Sequence, residues 1–435
     1  MCEPLIVKTT SPVFHLLLRY QPQENIMPVD LKNMPDISIR PSPPKLARWM
    51  MVLVILIGLS IVISRMVSGE NNAWLTVGFP ALIMGGLLFI LFVIYLVRSI
   101  SANARDRERE NTIIREVRRG RRALQILASE CCTAHSSSDN PFSSIGSNLL
   151  KNEPVFFPQR SWRGEEDTRL SQISRADAGE IKEDQHLQAL FTSLICKLAQ
   201  PLSLLPVERP IMVLLEHSSS VPEDNAYALF WQAWYQSGIS HPVSSLTGSG
   251  AQVIDHWLDH HICSEAVLLV VSWQYAPGNT PLSAEAVSGV LLGNRLTQNI
   301  LPPLAFLHRP EAEQGTSEAL KYAIRQALDW VPVAAEKPKH LWLSGVEAET
   351  DEYVALMQAI DGTGLDSVDR RSGFHNFNDF LGDPGKAALW LAIAAATQSI
   401  QLQPAYHLLI SREQQNGKVW NMLVSPVTPV EECKA

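Results

Sequence analysis

The stretch Gly248–Gly293, GSGAQVIDHWLDHHICSEAVLLVVSWQYAPGNTPLSAEAVSGVLLG, decides the fold. It opens on a small-residue turn, TGSGAQ, and continues as a helix over Ala251–His261. Ala266–Ser272 (AVLLVVS) is a continuous apolar run of the kind that forms a strand buried on both faces, and Ala286–Leu292 is another. The order is helix, strand, turn, strand. Gly382–Ser425 repeats it, with a small-residue turn (GDPGKA), an apolar helix at Lys386–Gln401, and strands at Tyr406–Ser411 and Lys418–Val424. A whole unit that recurs predicts a duplicated α/β fold.

The flanking segments fit that reading. Leu187–Gln200 is an apolar helix that Pro201 should end, and Ile211–Leu215 (IMVLL) is a buried strand. Ala226–Ser237 is an amphipathic helix whose aromatics, Trp231, Trp234 and Tyr235, read as core. Leu304–His308 and Leu341–Ser344 are strands; Ser317–Trp330 and Glu349–Ile360 are helices. The α/β domain therefore spans 186–426, with a short tail at 427–435. Cys131–Gln185, rich in Ser, Asn, Asp and Gly, reads as an irregular linker.

The motifs in these turns resemble those of thiolase-like enzymes, the β-ketoacyl synthases in particular, over roughly residues 205–426. Thr247–Ile254 (TGSGAQVI) resembles the nucleophile motif Cys-Ala-Ser-Gly-Ala-x-Ala-Ile. Ile360–Gly364 (IDGTG) resembles His-Gly-Thr-Gly. Gly382–Ala388 (GDPGKAA) resembles Gly-His-x-x-Gly-Ala-Ala. The resemblance implies two matching α/β halves. It also implies that Thr247, Asp361 and Asp383 stand where the family keeps a cysteine and two histidines, and that the three cluster in space. A thiolate nucleophile and imidazole donors would then be missing, and two carboxylates would repel a developing oxyanion. On this reading the domain is a degenerate, non-catalytic thiolase-like module, not an enzyme, and it needs no cofactor.

Near the N-terminus, Met50–Ser64 and Ala73–Val97 are charge-free apolar runs separated by Ser68–Asn72. A spanning helix needs roughly 20 apolar residues, so 46–98 reads as a transmembrane helical hairpin. Nine arginines follow between Arg98 and Arg122, with Lys45 and Arg48 ahead of the first run. Positive residues stay in the cytoplasm, so both termini are expected there, in a bacterial inner membrane. Residues 1–45 read as a flexible cytoplasmic tail, and 99–130 as a basic juxtamembrane helix. Arg98, Arg105, Arg115, Arg118, Arg119, Arg121 and Arg122 are expected to contact anionic lipid headgroups.

Net charge is −8, with the basic residues concentrated beside the membrane, which argues against nucleic acid as a partner. The six cysteines, Cys2, Cys131, Cys132, Cys196, Cys263 and Cys433, have no metal spacing and are expected to be free thiols. Cys131 and Cys132 read as plain linker residues, with palmitoylation or redox as the alternative. His256 and His260 sit one helical turn apart, but no carboxylate lies at a metal-binding spacing, so no metal is expected. Ser218–Ser220 reads as an ordinary loop. The whole plan is similar to accessory proteins encoded beside type VI secretion systems. A membrane-anchored scaffold with a protein partner in an envelope complex, pairing with a second copy of itself, is the leading functional expectation. A membrane-surface acyltransferase or lipid-modifying enzyme, and a signalling or transport adaptor, are the alternatives.

Overall fold

The helix Ala388–Leu402 is buried on every side within its own domain, from Ala388 to Ile400. A computed structural model describes residues 34–67, 74–162, 166–175, 182–277, 280–297, 299–313, 316–348, 350–365, 368–413 and 416–427. Residues 1–33 of the tail expected at 1–45, residues 428–435 of the tail expected at 427–435, and the loop expected at Ser68–Asn72 lie outside the described residues. The chain divides into two compact units, one formed by residues 29–118 and the other running from Arg119 onward.

The first unit is helical. Helix α1 spans Leu46–Val67, and a π-helical turn at Trp74–Gly78 leads into helix α2, Phe79–Gly120. Among the described residues, α2 alone is long and apolar enough to cross a membrane; the apolar part of α1, Ala47–Ile63, is shorter. Phe89 and Leu82 on α2 are 67% and 62% exposed, the reverse of a core helix. One qualifying helix supports less than the expected hairpin.

The second unit carries a mixed sheet. Its elements run β1 (Ala123–Thr133), α3 (Gly146–Leu149), β2 (Phe157–Arg160), β3 (Asp167–Leu170), α4 (Glu183–Ser203), β4 (Ile211–His217), α5 (Glu223–Gln236), β5 (Val243–Leu246), α6 (Gly250–His260), β6 (Val267–Gln274) and β7 (Ala286–Gly293). Then follow β8 (Ala305–His308), β9 (Glu311–Glu313), α7 (Ser317–Trp330), β10 (Pro338–Ser344), α8 (Asp351–Asp361), β11 (Phe374–Asn376), α9 (Phe377–Phe380), α10 (Ala388–Leu402), β12 (Tyr406–Arg412) and β13 (Val419–Pro426).

The sheet order is β11-β10-β12-β13-β8-β1-β7-β6-β4-β5, with β9 added beside β13; β2 and β3 form a separate hairpin. Read outward from the centre, the two halves match. β1-β7-β6-β4-β5 corresponds to β8-β13-β12-β10-β11. In each half three strands are parallel and the next is antiparallel. The halves join where β1 pairs antiparallel with β8, Ala123 opposite His308 and Ile126 opposite Ala305. The duplication expected from the sequence is present strand for strand.

Side-chain alternation sorts the layers. On β6, Leu268 and Val270 face the central core with α6 and α10, whereas Val267, Leu269 and Val271 face α4 and α5. On β12, Leu409 faces the central core, whereas Leu408 and Ile410 face α7 and α8. Helices α6 and α10 thus share one core between the two half-sheets, and α10 buries every residue from Ala388 to Ile400.

The expected 99–130 helix and 131–185 linker are different in the structure. Helix α2 stops at Gly120, and β1 takes up Ala123–Thr133 as a central strand. A Cβ on Gly120 would stand 2.6 Å from the Trp330 ring, so the close approach requires glycine. Strand β1 is buried on both faces, and its buried polar side chains find partners there: Ser129 Oγ donates to the Ala394 carbonyl of α10, and Thr297 Oγ1 donates to Gln125 Oε1. Cys131 and Cys132 lie within this strand, both fully buried. Burial raises both thiol pKa values, Cys132 to about 12, so neither is placed for palmitoylation or redox exchange.

Candidate functional site

A cleft opens where the parallel strands β4, β10 and β12 end and α6 and α10 begin, the edge at which α/β sheets hold ligands. Glycine makes room for it. Gly385 has φ +56°, and a Cβ there would collide with the Gln274 and Ser218 side chains. Gly345 has φ +73°, and a Cβ would meet the Arg412 carbonyl oxygen at 2.5 Å. These turns need left-handed backbone and close approach at once, which only glycine provides.

Two adjoining cavities share Gly345 and Arg412. One, of about 150 Å³, has Ser218, Ser249, Lys386, Ser411 and Glu413 at its polar side and Ala251, Leu389 and Trp420 at its apolar side. The other, of about 290 Å³, is lined by Glu347, Thr350, Glu352, Asn378 and Asp383. Arg412 stands between them with Glu352 3.8 Å away.

Glu216 ties the floor together. Its carboxylate accepts from the Gly250 N–H at 3.0 and 3.1 Å, the first amide of α6, and from Trp390 Nε1–H of α10 at 2.8 Å. Burial raises its pKa, and these two donors pull the other way. All of its partners are donors, so the arrangement suits the carboxylate form. Ser218 Oγ donates to Gln274 Oε1 at 2.8 Å and accepts from the Lys386 N–H at 3.0 Å. Gln274 Nε2 donates in turn to the Ala284 and Asp383 carbonyls. Ser249, the residue before α6, is extended and makes no side-chain capping bond, which leaves its hydroxyl for the cleft.

Of the three positions expected to cluster, Asp383 lies in the cleft, where its Oδ1 accepts from the Gly385 N–H at 2.9 Å. Thr247 lies on the same edge, two residues ahead of Ser249, and is exposed. Asp361 is elsewhere. It ends α8, and a helix connecting parallel strands finishes at their amino-terminal edge, opposite the cleft. There it is exposed and paired with Arg370 at 2.6 Å. The Gly362-Thr363-Gly364 sequence is a helix stop, with Gly364 at φ +84°.

The arginines expected at lipid headgroups also divide. Arg98, Arg105, Arg115, Arg118 and Arg121 are exposed. Arg119 and Arg122 instead reach Asp259 of α6, at 2.5 and 3.3 Å. A bidentate carboxylate contact satisfies a guanidinium better than a mobile headgroup. His256 and His260 stack on one another, and His260 Nδ1 lies 3.0 Å from the His256 carbonyl. No group of three metal-ligating side chains occurs among the described residues. The reading of Ser218 as an ordinary loop residue missed a cleft hydroxyl. Glu216 and Arg412 were missed too; the one available signal was a charged residue closing each of two otherwise apolar strands.

No protein-family model and no curated protein matches the chain. Solved structures do. The ishigamide ketosynthase/chain length factor is 14% identical, with a TM-score of 0.52, over 70% of this chain and 100% of that one. The oxazolomycin ketosynthase domain OzmH KS7 of Streptomyces albus JA3453 is 10% identical, with a TM-score of 0.50, over 71% and 75% of the two chains. Human mitochondrial 3-ketoacyl-CoA thiolase is 10% identical with a TM-score of 0.44, over 71% and 100%. The domain has the thiolase-like fold that ketosynthases share.

The expectation that the chain is not an enzyme does not hold. The structures sharing its fold with a TM-score of 0.5 or more include ketosynthases, which are enzymes. The expectation also rested on Asp361, which is not at the cleft, so loss of the catalytic groups is not established.

Proposed function

We propose that this chain is a membrane-anchored protein whose thiolase-like domain binds acyl thioesters in the cleft at the start of α6 and α10. The observation that carries the reading is the Ser249 hydroxyl, uncapped at the head of α6, in a cavity with an apolar wall of Leu389 and Trp420 and with Lys386 and Arg412 at its rim. An acyl chain suits the wall, and the cations suit the phosphates of a thioester carrier. The ketosynthase names of the similar structures support the same ligand class.

The test uses detergent-solubilised full-length protein and octanoyl-CoA. Saturable binding is expected, weakened at least about tenfold by Leu389→Trp, which fills the apolar side. Absence of saturable binding, or binding that ignores Leu389→Trp, contradicts the reading. Covalent label on Ser249 would make the protein an acyltransferase. In that step Ser249 Oγ attacks the thioester carbonyl carbon, the C–S bond breaks, and the hydroxyl proton leaves with the thiol.

The anchor is proposed as the two-helix hairpin of a bacterial inner membrane. Both chain ends would face the cytoplasm, and Arg98, Arg105, Arg115, Arg118 and Arg121 would lie at anionic lipid. A second reading places the chain as a scaffold in an envelope assembly such as a type VI secretion system. Strand β5 favours a protein partner or a second copy: among the described residues it ends the sheet, paired by β4 on one side, with Ser244 and Ser245 exposed. Cross-linking through a cysteine placed at Ser245 should capture that partner. Capture of neither a second copy nor an envelope protein counts against this reading.

A further inference from the structure

Helix α6 is held at both ends. Its first amide is clamped by Glu216, which also holds Trp390 of α10. Its last turn is clamped by arginines. Arg309, fully buried on the loop between β8 and β9, donates to Asp255 through Nη1 and to Asp259 Oδ1 through Nη2 at 2.6 Å. Arg119, in the last turn of α2, donates to Asp259 Oδ2 through Nη2 at 2.5 Å. Arg122 donates to the Leu258 carbonyl at 3.1 Å. Between the two clamps, Ala251, Ile254, Trp257 and Leu258 are buried in the central core, so the helix has little room to tilt. Three turns of rigid helix therefore connect the place where the long helix ends to the wall of the cleft that carries Ser249.

We propose that the Asp255/Asp259–Arg119/Arg122/Arg309 cluster is a positioning device for the cleft, fixing α6 along its axis so that the attachment of the chain at Arg119–Arg122 sets the position of Ser249. It rests on the reading of this cleft as the functional site. Asp259 is a positioning residue, and its effect reaches the cleft through the helix backbone. Five side chains share the work, so losing the carboxylate at Asp259 releases three guanidinium contacts at once, whereas losing Arg119 removes one of those three.

Amide hydrogen exchange on the full chain in detergent micelles tests this without any ligand. Asp259→Asn should speed exchange at Gly250–Val253 at least about fivefold while the amides of α10 keep their rates. Arg119→Gln should give a smaller change in the same amides, and Asp259→Glu should restore most of the protection. Faster exchange confined to residues 255–261, or spread evenly over the domain, would overturn the proposal. Octanoyl-CoA binding is measured in parallel. If the unaltered protein does not bind it, the acyl reading fails while the exchange result still judges the coupling. If it binds, Asp259→Asn should weaken binding, and unchanged affinity would overturn the proposal.

Discussion

At the scale of single residues, Glu216 decides most. It is a buried carboxylate whose oxygens satisfy two N–H groups from two different helices. Glu216→Ala would leave both donors without an acceptor. The expected loss is about 2–3 kcal/mol, read as a lower denaturant midpoint with an unchanged m-value. Glu216→Gln keeps one acceptor and should lose less. Equal midpoints for all three proteins would show that the clamp has no mechanical role. Gly385 gives a second residue-scale expectation. Gly385→Ala forces a β-carbon into Gln274 and Ser218 at a left-handed φ, and should destabilise the fold by at least about 1 kcal/mol. Neither role was legible. A glutamate closing IMVLLEH looks like any strand end, and its partners lie 34 and 174 positions away along the chain. The glycines were legible as turns, because TGSG and GDPG each precede an apolar helix. Asp361 was misread because the small residues of IDGTG that match the motif here stop helix α8, at the sheet edge opposite the cleft.

At the scale of elements, three histidines on neighbouring strands give the domain an acid-sensitive edge. His340 on β10, His375 on β11 and His407 on β12 lie side by side, with His340 Nδ1 3.1 Å from His375 Nε2. Asn152 Oδ1 accepts from His375 Nδ1 at 2.7 Å, and Trp342 Nε1–H donates to His407 Nδ1 at 3.0 Å. Burial lowers all three pKa values, that of His375 to about 3. Well above pH 6.5 these rings are neutral in both folded and unfolded chains. As pH falls below 6.5 the unfolded chain takes up protons first, so stability falls, and for His375 it keeps falling to about pH 3. Between pH 8 and pH 5 that is about 2 kcal/mol for His375 alone. His375→Asn should flatten the pH dependence of the unfolding midpoint by that amount, and an unchanged slope would exclude it.

Strand β1 makes the other element-scale point. Cys131 and Cys132 should resist a thiol reagent in the folded protein while the exposed Cys196 and Cys263 react. Rapid labelling of Cys131 would mean that β1 is not the central strand. Strands read from apolar runs, such as 266–272 and 406–411, were legible in the sequence. Those set by long-range pairing were not: β1 follows directly on an arginine-rich helix and was divided between that helix and the linker after it, and β5 and β11 are too short to show a period.

At the scale of the whole molecule, the duplication and the anchor are separate claims with separate tests. The duplication was legible because the two helix–strand–strand units share their order, and the matching strand orders of the two halves follow from it. The anchor rests on arginines that flank apolar helices. A periplasm-active reporter fused after Ala435 should stay silent in a bacterial host, and activity there would reverse the proposed topology. The central claim is that the cleft at the head of α6 and α10 takes an acyl thioester. A photoreactive acyl-CoA, cross-linked to the full-length protein and mapped by peptide mass, tests it most directly. Adducts are expected on the peptides holding Ser218, Ser249–Ala251 and Lys386–Leu389, competed away by unlabelled octanoyl-CoA. Adducts confined to the apolar helices α1 and α2, or to the opposite sheet edge near Asp361, would contradict it.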